Sequence, residues 1–145
     1  MADSGRHMDQ TGDTRRDPRR GRTRRALLDA ALELVEKKDN FTALSLRLVA
    51  RKAGVVPTAF YRHFPDMDAL GLALVDESFR TLRQLMRDVR AVGLPQKQVI
   101  STSVQTYVRY VRDNARHFQF VAKERFSGSQ PIRTAIRQEI RLFTS

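Results

Sequence analysis

Residues 44–70, LSLRLVARKAGVVPTAFYRHFPDMDAL, decide how the rest of the chain reads. Ser45 stands just ahead of a short apolar-periodic run, where its hydroxyl can take up an unpaired backbone N–H of the helix that follows. Leu48, Val49 and Ala53 face inward on that helix, and Gly54 supplies the left-handed residue that stops it. Pro57 fits the first turn of a second helix, where its missing N–H costs nothing. The spacing predicts that helix over about Thr58–Phe64, with Pro65 closing it. Two short helices around a glycine turn have the dimensions of a helix-turn-helix.

On the N-terminal side, Leu27, Leu28, Ala31, Leu34 and Val35 recur at three- and four-residue spacing and predict a helix from Arg19 to near Lys38. Its other face is acidic, with Asp29, Glu33 and Glu36, and Glu33 and Lys37 stand at i,i+4 in the favourable order. Asp39-Asn40 supplies turn chemistry. Residues 1–18 carry hardly an apolar side chain and predict a disordered basic tail, because nothing there offsets the entropy of ordering.

On the C-terminal side a long helix is predicted from Asp66 to about Val92, opened by Asp66 and Asp68 at the positive end of its dipole. Leu70, Leu74, Phe79, Leu82, Leu85, Met86 and Val89 give it a broad apolar face, and Gly93-Leu94-Pro95 ends it. A further helix is expected over Val99–Val111, with Ile100, Val104, Tyr107, Val108 and Val111 on one face. A short aromatic-rich segment, His117–Phe126, leads to a turn at Ser127-Gly128-Ser129 and to a last helical stripe of Ile132, Ile136 and Ile140 with Phe143 nearby. No strand pattern and no internal repeat competes, so the expected fold class is all-α. The expected organisation is the tail 1–18, a three-helix helix-turn-helix unit at 19–65 and a second helical unit at 66–145.

The 145 residues are 41% apolar and 30% charged, with a net charge of +11, which suits one good core under a highly charged surface. Residues 15–25 hold seven arginines against the single Asp17, and residues 40–65 hold four basic side chains and no acidic one. Positive charge concentrated in two nearby stretches suits a polyanion, either nucleic acid or an anionic membrane face. There is no cysteine, hence no disulfide or thiol chemistry. The longest apolar run, Ala69–Val75, falls far short of the roughly 20 residues needed to span a bilayer, so a cytoplasmic protein without membrane insertion is expected.

A second helix lying in a DNA major groove needs donors, small residues and a positive setting, and Thr58, Ala59, Tyr61, Arg62 and His63 supply them. Arg62 has the fork that pairs with guanine, Thr58 and Ala59 suit a thymine methyl, and Tyr61 or His63 suits phosphate. Phe60 and Phe64 are expected beneath that helix as core. The arginine run is either a solvated tail or an arm along phosphate or into the minor groove, with Arg22, Arg24 and Arg25 the arm residues nearest the helix-turn-helix. His7 and His117 carry no assigned role.

Leu44-Ser45-Leu46-Arg47-Leu48-Val49-Ala50, Ala53-Gly54-Val55 and Phe60-Tyr61-Arg62-His63-Phe64 resemble the DNA-binding domain of the TetR family of bacterial repressors. The resemblance runs from residue 19 to about 70. The fuller string Pro57–Phe64, with Leu70-Gly71-Leu72, Val75-Asp76-Glu77-Ser78, Lys123-Glu124-Arg125 and residues 137–140, resembles the branch of that family that represses unsaturated fatty acid synthesis. It implies that Ser45, Leu46 and Arg47 meet phosphate, that Tyr61 and His63 hold it, and that Pro57, Thr58, Ala59 and Arg62 approach bases. The family pattern is departed from in three places: Met67 stands where a phosphate-contacting lysine is usual, Ala59-Phe60 replaces a Thr-Leu or Thr-Ile pair, and Lys38-Asp39 occupies a usual glycine turn.

The resemblance also implies a homodimer on a palindromic double-stranded operator and, in the second unit, a pocket for an apolar small-molecule effector. Leu82, Met86, Tyr107, Val111, Phe118 and Val121, with Phe120 and Phe126, permit such a pocket, and they would equally build an ordinary packed core. The branch implies a long-chain acyl thioester of coenzyme A or acyl carrier protein as signal, with Arg83, Arg109, Arg112, Arg116, Lys123 and Arg125 available to its phosphates. No cofactor or metal is implied. Because the family's members continue for several more helices, the second unit is expected to be cut short at Ser145, with a weakened dimer and an exposed apolar patch on the Ile132, Ile136, Ile140 stripe.

Two other classes fit less well. An amphipathic protein on anionic membrane would use the arginine-rich start, but the acidic face of the first helix opposes it. An enzyme is not expected, since the sequence has no metal-ligand spacing, no Gly-rich phosphate loop and no carboxylate pair among perturbing groups.

Overall fold

Leu27, Leu28, Ala31, Leu34 and Val35 are all buried along one side of α1 (Pro18–Lys37), as their spacing predicts. The computed structural model describes residues 18–37 and 40–144, and among these every regular element is helical. After α1 come a 3₁₀ turn (Phe41–Ala43), α2 (Leu46–Ala53), α3 (Pro57–Tyr61), α4 (Met67–Ala91), α5 (Gln96–Asp113), α6 (Ala115–Ser127) and α7 (Gln130–Thr144). Of the tail expected at 1–18, residues 1–17 lie outside the described residues, as does the Lys38-Asp39 departure, while Pro18 opens α1 instead.

Local chemistry sets the boundaries. The Asn40 side chain accepts the Ala43 N–H at 3.0 Å and caps the 3₁₀ turn. Ser45 Oγ accepts the Leu48 N–H at 3.1 Å at the start of α2, and Gly54 ends it at φ +77°, where a side chain would be strained. Asp66 caps α4 through the Ala69 N–H at 2.8 Å. Helix α3 is shorter than expected. It stops at Tyr61, and His63 and Phe64 both donate to the Phe60 carbonyl in a tightened turn, because Pro65 disfavours a helical conformation for the residue before it.

One continuous core runs through both expected units. It joins Leu27–Val35 of α1, Phe41, Val49, Phe60 and Phe64 to Leu70–Phe79 of α4, Phe120 and Val121 of α6 and Ile132 and Ile136 of α7. Phe41 stacks on Phe120 with centroids 5.5 Å apart, so the connection leading into the helix-turn-helix is packed directly onto α6. The aromatic-rich segment is a full helix, in which Phe118 meets Phe79 and Tyr110 edge-on.

The C-terminal stripe is a correction. Ile132 and Ile136 are buried against α4 rather than exposed, and Ile140 packs at the edge of the same core. Gly71 makes this possible, since a Cβ there would stand 2.5 Å from Ile132 Cδ1 and 3.0 Å from the Phe41 ring. The unpartnered apolar face lies instead on α5, where Ile100, Val104, Tyr107 and Val108 are exposed and no residue is buried. No helix among the described residues is long and apolar enough to cross a membrane.

Candidate nucleic-acid interface

Helix α3 is anchored by one residue and offers its neighbours. Phe60 is fully buried, against Phe64 and the edge of Tyr61, while Tyr61 is 58% exposed. Pro57, Thr58 and Arg62 are exposed and Ala59 is half-buried. At the start of α2, Ser45 and Arg47 are exposed, whereas Leu46 packs against the core. Met67 also packs against the core at the start of α4, which gives the apolar replacement a structural place.

Between α1 and α3 lies a cleft of about 350 Å³ lined by Arg19, Arg20, Thr23, Ala59, Arg62 and His63. Burial first, and then the positive charges of Arg20, Arg24 and Arg62, push the His63 imidazole below its ordinary pKa of 6.5. The structure thus brings Ala59, Arg62 and His63 together with arginines of α1. Arg19, Arg20 and Thr23 were not among the sequence candidates, although the i,i+4 spacings of Arg19 with Thr23 and of Arg20 with Arg24 place each pair along one helix face.

The three expected arm residues part company. Arg24 lies over the Phe64 ring at 5.2 Å, and Arg22 is exposed. Arg25 is turned away, donating to Glu77 of α4 at 2.5 and 2.8 Å and to Asp29 at 3.0 Å. Lys52 of α2 is paired with Glu33 of α1 at 3.2 Å. The acidic face of α1 is thus matched from within the molecule, Asp29 by Arg25, Glu33 by Lys37 and Lys52, and Glu36 by Arg116.

The expected effector residues differ in burial. Leu82, Met86 and Val121 are buried and Phe118 is half-buried, whereas Tyr107 is exposed on α5 with Val111 partly covered. Met86 borders an open groove with Arg83, Arg87, Arg90 and Leu142. The cations named for acyl-thioester phosphates are also dispersed: Arg83 pairs with Glu139, Arg116 with Glu36, Lys123 donates to the Val35 carbonyl, and Arg125 lies over Phe126. Arg109 and Arg112 line a shallow groove on α5.

Two side chains that sequence reasoning left without a role tie α6 to the helix-turn-helix. His117 shares Glu77 with Arg25, at 2.6 Å. Glu124, completely buried, accepts the Phe41 N–H at 2.8 Å and the Thr42 hydroxyl at 3.1 Å. Only the family-like Lys-Glu-Arg string at 123–125 pointed to that position, and no local pattern shows that its partner lies 83 residues away.

Comparison with known proteins agrees with this geometry. Residues 27–74 match the family described as bacterial regulatory proteins, tetR family. A Haemophilus influenzae protein described as an uncharacterized HTH-type transcriptional regulator is 47% identical over 122 residues, 84% of this chain and 60% of that protein. The chain therefore spans about three-fifths of the length of this curated relative.

Proposed function

We propose that the protein is a TetR-family transcriptional repressor binding duplex DNA through α3 as a homodimer on a palindromic site, on the match of residues 27–74 to that family and the likeness to an HTH-type regulator. The observation that carries this is the surface around α3. Phe60 fixes the helix from below, Thr58, Tyr61 and Arg62 stand outward, and among the described residues the adjoining cleft is lined by three arginines, a threonine, an alanine and a histidine. Such a surface suits a helix in the major groove flanked by phosphate contacts. Ser45, Arg47 and Tyr61 are proposed as phosphate contacts and Pro57, Thr58 and Ala59 as the base-facing set. Arg62, which the family pattern sets near bases, joins the phosphate contacts here because it lines the cleft.

A finer reading concerns the signal. The protein is proposed to control unsaturated fatty acid genes in response to a long-chain acyl thioester, on the resemblance of the strings around residues 57–64, 70–78 and 123–125. Several of those positions have a packing explanation: Gly71 admits Ile132, Glu77 joins three helices and Glu124 caps the 3₁₀ turn. The resemblance of the α3 string supports DNA reading, and the effector rests on the branch likeness.

Mobility shifts on the DNA upstream of the protein's own gene and of a neighbouring desaturase gene test both parts. A retarded band resistant to excess random duplex is expected, released by oleoyl-CoA. Binding that random duplex abolishes refutes the operator reading, and a band indifferent to every acyl thioester refutes the effector.

A further inference from the structure

Glu124 of α6 is completely buried, and its side chain is held by the 3₁₀ turn that leads into α2. One carboxylate oxygen accepts the Phe41 N–H at 2.8 Å and the other accepts the Thr42 hydroxyl at 3.1 Å. The end of α6 closes tightly over this contact. A Cβ on Gly128 would stand 2.7 Å from the Glu124 carbonyl oxygen and 3.2 Å from the carboxylate oxygen that Thr42 binds, so a residue without a Cβ leaves the carboxylate its room. One turn earlier on the same face, Phe120 stacks on the Phe41 ring with centroids 5.5 Å apart. Helix α6 thus grips the 3₁₀ turn twice, by a ring and by a carboxylate.

The two grips differ in what they fix. Apolar burial and dispersion are not directional, so stacked rings tolerate sliding. A carboxylate that accepts hydrogen bonds from two consecutive residues sets both the position and the rotation of the turn. Burying that carboxylate is costly, and a well-packed apolar side chain would hold the turn at less cost. What the carboxylate adds is definite placement. The turn runs directly into Leu44, which is buried, and Ser45, which caps α2 through the Leu48 N–H. Its placement therefore passes to α2 and, across the Gly54 turn, to α3. We infer that Glu124 is a positioning residue for DNA binding: by fixing the 3₁₀ turn on α6, it sets where α2 and α3 stand against α4 and α6. This rests on the DNA-binding reading above and adds to it a buried residue, far along the chain from α3, that acts through the turn rather than on DNA.

The test compares variants of the whole chain with the parent, at a temperature where circular dichroism shows each to be folded. Affinity is read by fluorescence anisotropy on the duplex upstream of the protein's own gene, and the placement of α2 and α3 by their amide resonances. Glu124→Gln can rebuild both contacts, since its oxygen accepts the Phe41 N–H and its amide NH₂ donates to the Thr42 oxygen. Glu124→Leu can rebuild neither. Ile136→Ala empties a buried site on α7 and lowers stability without touching Glu124 or the turn. Glu124→Leu is expected to bind about tenfold more weakly and to move amide resonances along α2 and α3, while Glu124→Gln and Ile136→Ala bind as the parent does. Equal losses in Glu124→Leu and Ile136→Ala reduce Glu124 to a stabilising role and overturn the proposal, as does full affinity in Glu124→Leu. An equal loss in Glu124→Gln assigns the effect to charge rather than to the two bonds and also overturns it. All three outcomes leave the DNA reading intact. Failure of the parent to bind that duplex or a random one at low salt overturns the DNA reading and this role together. If Glu124→Leu does not fold, Thr42→Val decides in its place, since it removes one of the two bonds at an exposed position: weaker binding with shifted α2 and α3 amides is expected, and unchanged binding overturns the proposal.

Discussion

Arg25 of α1 and Glu77 of α4 form a two-pronged ion pair, with guanidinium nitrogens 2.5 and 2.8 Å from the two carboxylate oxygens. His117 of α6 reaches one of the same oxygens at 2.6 Å. Glu77 therefore joins α1, α4 and α6 at one carboxylate. Two-pronged arginine–carboxylate contacts fix geometry as well as adding energy. Burial raises the Glu77 carboxyl, yet hydrogen bonds from His117 and Arg25 outweigh it and hold the group at about 2.

Glu77→Gln is expected to lower the unfolding free energy at pH 7 by about 1–2 kcal/mol, well below the value of a fully buried pair because the Arg25 end is open to solvent. The folded carboxyl titrates near 2 against an ordinary value of 4.5, so its stabilisation is complete above the ordinary value and is lost as pH falls from there through about 2. Urea midpoints followed from about pH 5 downward should drop more steeply in the parent protein than in Glu77→Gln. Parallel profiles would refute the assignment.

Glycine substitutions should divide by location. Gly71→Ala gains about 1 kcal/mol in helix propensity but forces Ile132 and Phe41 apart at a cost of about 1–3 kcal/mol, for a net loss. Gly21→Ala, on an exposed part of α1 with open space around the new methyl, should stabilise by up to about 1 kcal/mol. Thermal unfolding of the two variants should move in opposite directions, and a shared sign would contradict the packing described.

Removing the buried Glu124 carboxylate should be costly. Glu124→Leu leaves the Phe41 N–H without its acceptor and is expected to lose about 2–4 kcal/mol, whereas Glu124→Gln keeps one acceptor oxygen and should lose less. Hydrogen exchange at the Phe41 amide gives the local readout: it should accelerate in Glu124→Leu by more than global destabilisation alone explains.

Arg62→Ala should weaken binding to all duplexes alike and reduce the slope of log affinity against log salt by about one. A base-reading arginine would instead lose discrimination among sequences, so measuring specific and random duplexes across a salt series separates the two roles. Tyr61→Phe is expected to behave like Arg62→Ala in its indifference to sequence, though with a smaller loss because no charge is removed.

Much of the architecture was local enough to be legible in one dimension. The caps at Ser45 and Asp66, the turn at Gly54, the proline at the start of α3 and the apolar faces of α1 and α4 act over three to seven residues, and the order of helices follows from them. The burial of Phe60 and Phe64 beneath α3 was legible for the same reason. The sequence also placed a basic helix-turn-helix correctly along the chain, because charge, capping and periodicity coincide there.

What only the tertiary structure decided are the partners of long side chains. An arginine run reads as seven equal positive charges, yet packing sends Arg25 to Glu77, Arg24 over Phe64 and Arg20 toward His63. The buried Glu124 and the Ile132 and Ile136 stripe could not be placed, since each depends on an element many residues away that closes over it. Periodicity tells which side of a helix is apolar but not which neighbour covers it. Distance in space therefore assigned the members of the cleft and exposed α5 rather than α7.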